Sequence, residues 1–335
     1  MNIQEVLFPE QAPPQQLTGY CILRYSNGCL YKGELLLGLR HGNGALLSPN
    51  GCSYSGSWAL DQQTGYGLER DERGNVYRGR YLRGVKWGVG TLLGADGSLY
   101  EGQFQAGLPS GKGKLVARNQ TFEGEFEEGL PHGSGEIRWT SGAMYTGEVA
   151  KGVLEGWGTY HYPQDQGCYE GQFSQGKPHG YGELRSRKYR YQGEFQQGMR
   201  QGYGLMAKDG MVMEGWWLAN CLHGQGFISY GNDHYYVGEL SKGLPNGPGK
   251  QVYIDGSYYI GHWKDGKPHG QGAFHNPAGL RYIGQWSEGK RQGRGVEIER
   301  KGGEEEVIDG VWRAGQRLAM GVVRRIKGKE EGSGS

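Results

Sequence analysis

A repeat of about 23 residues organises this chain. It is clearest at Tyr259-Ile-Gly-His-Trp-Lys-Asp-Gly-Lys-Pro-His-Gly-Gln-Gly. With Tyr259 as position 1, the same pattern begins at residues 31, 54, 77, 100, 122, 145, 169, 191, 213, 236, 259 and 282. Self-similarity at a fixed period of this size means stacked supersecondary units, each burying a face against its neighbours. Glycine fills positions 3, 12 and 14 in all twelve copies and position 8 in ten, so the repeat places 46 of the 66 glycines. Glycine placed that regularly excludes a collagen-like or low-complexity chain.

The other positions say what each unit is. Position 1 is aromatic in eleven copies, Met213 being the exception, and position 5 is aromatic in nine. Positions 1, 3 and 5 share a parity, which in a strand places them on one face. Position 4 has the other parity and is mostly polar, as in Glu34, Glu125, Glu148, Glu194 and Glu239. At position 8 the two departures from glycine are Asp61 and Asn220, types that tolerate a left-handed backbone, so a turn with positive φ is expected there. Each repeat therefore reads as a strand over positions 1–5, a turn near 8 and a second strand from 12. Further turns are expected between repeats, at Pro49-Asn50-Gly51, Ala95-Asp96-Gly97 and Ile254-Asp255-Gly256 among others. Glycine inside a strand marks close approach by another group. Aromatic rings are the expected occupants over positions 3, 12 and 14.

The pattern resembles the MORN repeat (membrane occupation and recognition nexus), with a consensus close to Y-x-G-E-W-x-x-G-x-x-H-G-x-G. Tyr31, Gly33, Glu34, Gly38, His41, Gly42 and Gly44 carry it in the first copy, and Tyr259, Gly261, Trp263, Gly266, His269, Gly270 and Gly272 in the eleventh. The resemblance spans roughly residues 19–321. It implies an all-β fold, an elongated single-layer antiparallel meander of twelve to thirteen hairpins used as a scaffold, and no single activity. Two strands per repeat at about 4.8 Å each would give a rod on the order of 115 Å. Family members made almost wholly of repeats occur in cytoskeletal settings, including axonemal and cortical assemblies.

The ends depart from the pattern. Residues 1–18 are an N-terminal tail or edge cap: Ile3–Phe8 alternate well enough for a strand, and Gln11–Leu17 read as an extended Pro-containing connector. Residues 19–307 hold half a repeat and the twelve full ones. In 308–325, Ile308, Gly310, Trp312 and Gly315 echo positions 1, 3, 5 and 8, while Ala319 replaces a glycine, as in a capping copy. Lys301–Glu306 reads as a lengthened loop, and 326–335, ending Gly-Ser-Gly-Ser, as a flexible tail or linker. Mean hydropathy is −0.71, too polar for an ordinary two-layer domain of this length, so large rings are expected to do the packing. The formal net charge of +2 gives no bias toward nucleic acid, and no nucleic-acid-binding motif is present. No apolar run reaches membrane-spanning length, and the N-terminus lacks a signal-peptide profile. Five scattered cysteines without a C-x-x-C pair read as free thiols. The expectation is a cytoplasmic protein in a cytoskeletal or ciliary setting.

Chemistry is sparse. The G-x-G pairs at positions 12 and 14 never extend to a phosphate loop entering a helix. His41, His132, His179, His223 and His269 all occupy position 11, but in non-adjacent copies. They would lie roughly 20 Å apart, too far for one metal, so each is assigned a turn hydrogen bond. Glu127-Glu128 and Glu304–Glu306 are expected in open turns or loops. No enzyme, cofactor or metal is expected. The output is instead binding of an extended or helical protein segment along the aromatic/glycine face. Tyr169, Phe173, Tyr191, Phe195, Trp217, Tyr236, Tyr259 and Trp263 are its candidate residues, their ring edges left open as an anchor row. Trp216, at the usually polar position 4, would face the other way, for a partner or for packing on Met211 or a loop. The alternatives are an anionic-lipid module using Arg185, Arg187, Lys188 and Arg190, or the targeting part of a larger enzyme. By strand parity Arg185 and Arg187 share one face, and Lys188 and Arg190 the other. A homodimer through the C-terminal edge would use Trp312, Leu318 and Val322.

Overall fold

A computed structural model describes residues 3–8, 17–301 and 304–327. They form 28 strands and one short 3-10 turn, Pro163–Asp165. Among the described residues no helix is long and apolar enough to cross a membrane. The chain falls into two compact units, residues 1–166 with 173–176, and 167–172 with 177–335. In each, successive strands pair antiparallel with their chain neighbours, giving the all-β meander that the repeat dictates. Leu39–Leu47 lies between Leu30–Leu36 and Ser53–Ala59 in the first unit. Tyr258–Lys264 lies between Leu244–Val252 and Lys267–His275 in the second.

The turn inside each hairpin is tighter than glycine alone announces. Asp61 and Asn220 have φ of 65° and 71°, as expected for position 8. Position 7 is left-handed too, whatever its residue: Leu37, Arg83, Ala106, Glu128, Lys242 and Glu288 have φ between 49° and 52°. Two consecutive positive φ values make a type I′ turn, whose twist matches that of the flanking strands. The position-8 amide also ties repeats together by donating to the position-10 carbonyl of the preceding copy, as Gly266 does to Pro245 at 2.9 Å.

A bulge follows the turn. Between the pairs Gly33↔Gly44 and Leu35↔Arg40 the first strand has one residue, position 4, and the second has three. Position 12 lies at the centre of those three, and Gly42, Gly156 and Gly270 there have φ of 61°, 65° and 68°. No ring occupies this glycine, contrary to expectation. Where position 4 is Glu or Gln, that side chain does, and in several copies its terminal oxygen accepts the amide of residue 13: Glu148 from Trp157 at 3.4 Å, Gln172 from Tyr181 at 3.1 Å, Glu194 from Tyr203 at 3.3 Å. A Cβ at Gly202 would meet the Glu194 carboxylate, so glycine at 12 and a carboxylate or amide at 4 are one device.

Rings cover the other two glycines. The Tyr259 ring crosses Gly261 and Gly272, and its hydroxyl donates to the His262 carbonyl at 3.0 Å. All ten copies with Tyr at position 1 make this bond, at 2.7–3.2 Å. Each such ring also meets position-5 rings edge-on. Tyr54 contacts Trp58 and Tyr81 with centroids 5.0 and 5.1 Å away, and Tyr259 contacts Trp263 and Trp286 at 5.1 Å each. Edge-to-face pairs like these contribute about 0.5–1.5 kcal/mol beyond their burial. Burial pushes the phenols of Tyr54, Tyr77, Tyr100 and Tyr145 up to about 12.

At the N-terminal edge Ile3–Phe8 pairs antiparallel with Gly19–Tyr25. Of the Pro-containing connector, residues 9–16 lie outside the described residues. At the other end Glu304–Glu306 lie in a strand, not a loop, with Lys301 opposite Glu304 and Arg300 opposite Glu305. Opposite charges facing across a ladder favour that pairing. The last strand runs Gln316–Lys327, so it enters the segment assigned to a tail, whose residues 328–335 lie outside those described.

Candidate interaction surfaces

The proposed anchor row is not open. Tyr169, Tyr191, Tyr236 and Tyr259 are 0–1 % exposed, and Phe173, Phe195, Trp217 and Trp263 are 4–6 % exposed. Each position-5 ring is wedged between two position-1 rings or beside one, and position 10 covers it from its own hairpin. There Pro268 pairs with Trp263 and Leu222 with Trp217, while the Arg200 guanidinium of the preceding copy lies 4.7 Å from the Trp217 ring centroid. The ring edges are consumed in packing the repeats on one another.

The same ladder takes in Trp312, which is 2 % exposed and edge-on to Tyr282 at 5.0 Å. The degenerate thirteenth copy therefore continues the core, and Trp312 has no surface to give a dimer. Leu318 is 60 % exposed. Val322 lies in the last strand, and its side chain is outside the described residues.

The basic cluster is largely neutralised within itself. Arg185 and Arg190 are cross-strand partners, because Arg187 and Lys188 lie in the intervening turn and break the strand parity. Both guanidinium groups meet the Glu183 carboxylate, Arg185 Nε at 2.6 Å. These hydrogen bonds hold the Glu183 carboxyl below its usual range despite partial burial. A site for an anionic headgroup would have to compete with Glu183. The histidines also differ from expectation. His132 Nε2 lies 3.3 Å from Glu127, but the buried Nδ1 atoms of His41, His179 and His269 have no hydrogen-bond partner. The five cysteines are unpaired thiols, Cys221 being exposed.

Sequence reasoning missed why Asp61 and Asn220 depart from glycine. Each stands one repeat after an arginine at position 10. Arg40 donates its backbone amide and Nε to Asp61 Oδ1 at 2.8 and 2.9 Å and Nη2 to the Asp61 carbonyl at 3.1 Å. Arg200 repeats the set on Asn220. The signal was present as two coincident exceptions about 20 residues apart.

Exposed rings lie elsewhere, among them Tyr66 and Trp157 in the first unit and a group on the opposite face of the second. Trp216 is 55 % exposed, Tyr203 47 % and Tyr181 50 %. Tyr203 and Trp216 are cross-strand partners and stand edge-on at 5.9 Å. Tyr203, not Met211 or a loop, is thus the neighbour of Trp216. The Tyr203 hydroxyl is fixed by donation to Glu214 at 2.7 Å. A rigid, amphipathic ring pair of this kind is what partner surfaces favour.

Comparison with known proteins agrees with the geometry. The family described as MORN repeat matches residues 31–53, 54–76, 77–99, 100–121, 122–144, 145–165, 169–188, 191–212, 236–258, 259–281 and 282–303. The copy beginning at Met213 is passed over, yet Met211–Leu218 and Cys221–Gly231 form the same hairpin. With no ring over its glycines, the space beside Gly226 is filled by Leu240 from the next copy. No curated protein matches the chain. Eleven family matches cover most of its length, each falling on a ring-and-glycine hairpin, and the chain therefore belongs to the MORN-repeat family.

Proposed function

We propose that this chain is a non-enzymatic scaffold that binds segments of partner proteins, working in the cytoplasm within a cytoskeletal or ciliary assembly. The observation that carries the reading is the exposed, mutually ordered pair Tyr203 and Trp216, with Tyr181 on the same face. Large rings left half in water have no packing role to offset their exposure, and partner contacts are enriched in them. Carboxylates committed to backbone hydrogen bonds support the non-enzymatic part of the proposal. Glu34, Glu148 and Glu194 are each turned back onto residue 13 of their own repeat.

Affinity purification of the full chain tests the proposal. A protein partner is expected at near-stoichiometric recovery, and Trp216→Ser should weaken it by about thirtyfold, the effect of losing roughly 2 kcal/mol at an interface. Recovery of anionic vesicles in flotation with no protein partner would favour the lipid reading and overturn this one.

A further inference from the structure

The face carrying Trp216 changes character along the second unit. Row by row across the strands, Phe227 pairs with Val237, Val237 with Lys250, Lys250 with Ile260, Ile260 with Ala273, Ala273 with Ile283 and Ile283 with Val296. Direct cross-strand partners lie on one face, so this is a continuous apolar stripe over seven strands, interrupted only by Lys250. Glu214 pairs at one end and Asp309 at the other, closing it with charge. The equivalent row in the first unit reads Glu101, Lys114, Glu123 and Glu136. The stripe is therefore not a property of the repeat. Val237, Ile260 and Ile283 are 43 %, 50 % and 54 % exposed, although nothing in the repeat calls for an apolar residue at position 2.

We infer that this stripe is the seat of an amphipathic α-helix from a partner protein, with acidic residues beside its apolar face. The inference deepens the scaffold reading and rests on it. Three observations select the occupant. The amides and carbonyls of these strands are already paired in the sheet, so a segment lying across them gains no backbone bonds and must satisfy its own, as a helix does. The exposed anchors recur once per repeat, every second strand, or roughly 9.6 Å. Seven residues of helix advance about 10.5 Å, so apolar residues one heptad apart fall near successive anchors. Seven strands span roughly 29 Å, the length of about 19 helical residues. The charge is the third. Lys250 lies within the stripe with its ammonium 5.0 Å from the Tyr258 ring, and exposed Arg294 stands two residues from Val296. Neither makes an ion pair among the described residues, and Glu239, two residues from Val237, is folded onto Gly247.

The test is a photo-crosslinking phenylalanine derivative at position 260 of the full chain, with the same group at position 123 on the equivalent row of the first unit as control. The expected adduct exceeds the control at least tenfold and maps to another protein, in a segment with apolar residues every three or four positions and flanking acids. Ile283→Glu should cut its yield at least tenfold while leaving the denaturation midpoint unchanged. The inference is overturned by adducts no stronger than control, by a crosslinked peptide of this chain itself, by a proline-rich or strand-forming segment, or by a yield that ignores Ile283→Glu. Protein partners that co-purify but never crosslink at 260 would remove this inference and leave the scaffold reading standing; no co-purifying protein would remove both.

Discussion

Adding one methyl group at Gly272 should undo the hairpin around it. Alanine is ordinarily favoured over glycine in a strand by about 0.5–1 kcal/mol, because glycine loses more conformational freedom on folding. At Gly272 the new Cβ would sit 2.5 Å from Tyr259 Cε2 and closer still to the hydroxyl, so the ring must move. Overpacking of that kind costs about 1–3 kcal/mol. A displaced ring also loses its hydroxyl bond to the His262 carbonyl, about 1 kcal/mol, and loosens the edge-on contacts with Trp263 and Trp286. The net for Gly272→Ala is a loss of about 3 kcal/mol. Repeat arrays do not unfold in one step, so the suitable assay is hydrogen exchange read locally. Amides of Tyr258–His275 should exchange about a hundredfold faster. Two controls isolate the cause. At Gly226 the same substitution meets the terminal methyl of Leu240, 2.7 Å away and able to rotate, and the Glu214 carbonyl oxygen at 3.1 Å, but no ring, and should cost about 1 kcal/mol. In a Tyr259→Met background, which copies the ninth repeat, Gly272→Ala should also cost less than about 1 kcal/mol. Equal effects at Gly272 and Gly226, or an undiminished effect without the ring, would refute the account of why glycine stands at position 14.

Alkaline titration followed by tyrosinate absorbance should find the phenols of Tyr54, Tyr77, Tyr100 and Tyr145 protonated well above pH 10. Their pKa is raised on folding, so their stabilisation is complete below the unfolded value near 10 and is lost as pH rises toward 12; smooth ionisation near 10 with the fold intact would contradict this. Asn220→Gly restores the repeat's usual residue yet should destabilise its turn by about 1 kcal/mol, since Arg200 loses a side-chain acceptor; an unchanged or higher denaturation midpoint would show the pair to be dispensable. Adjacent tryptophans should behave oppositely: Trp217→Ala should cost about 3–5 kcal/mol as a buried ring is lost, and Trp216→Ser within about 0.5 kcal/mol, both read from denaturation midpoints.

Features confined to one repeat were legible in the sequence. The turn at position 8, the shared face of positions 1, 3 and 5, and the ring over bare glycine involve residues at most about a dozen apart. Local φ preference and strand parity suffice to place them, and twelve near-copies average away the noise. Parity failed where a turn intervened, as at Arg187 and Lys188, because a turn resets which face the next residue takes. The bulge made position 12 a seat for the position-4 side chain, which no count of glycines distinguishes from a seat for a ring.

Tertiary structure decided everything that depends on how one repeat meets the next. Whether a ring edge is open or buried follows from the position-5 and position-10 residues that close over it, and here they leave Tyr169 and Tyr259 with almost no surface. The exceptions Asp61 and Asn220 gain their meaning from arginines in the preceding copy. The stripe from Phe227 to Val296 joins residues up to 13 apart in sequence at each step. The stripe's apolar residues stand singly along the chain; only the cross-strand register, set by turn and bulge together, put them side by side on one surface.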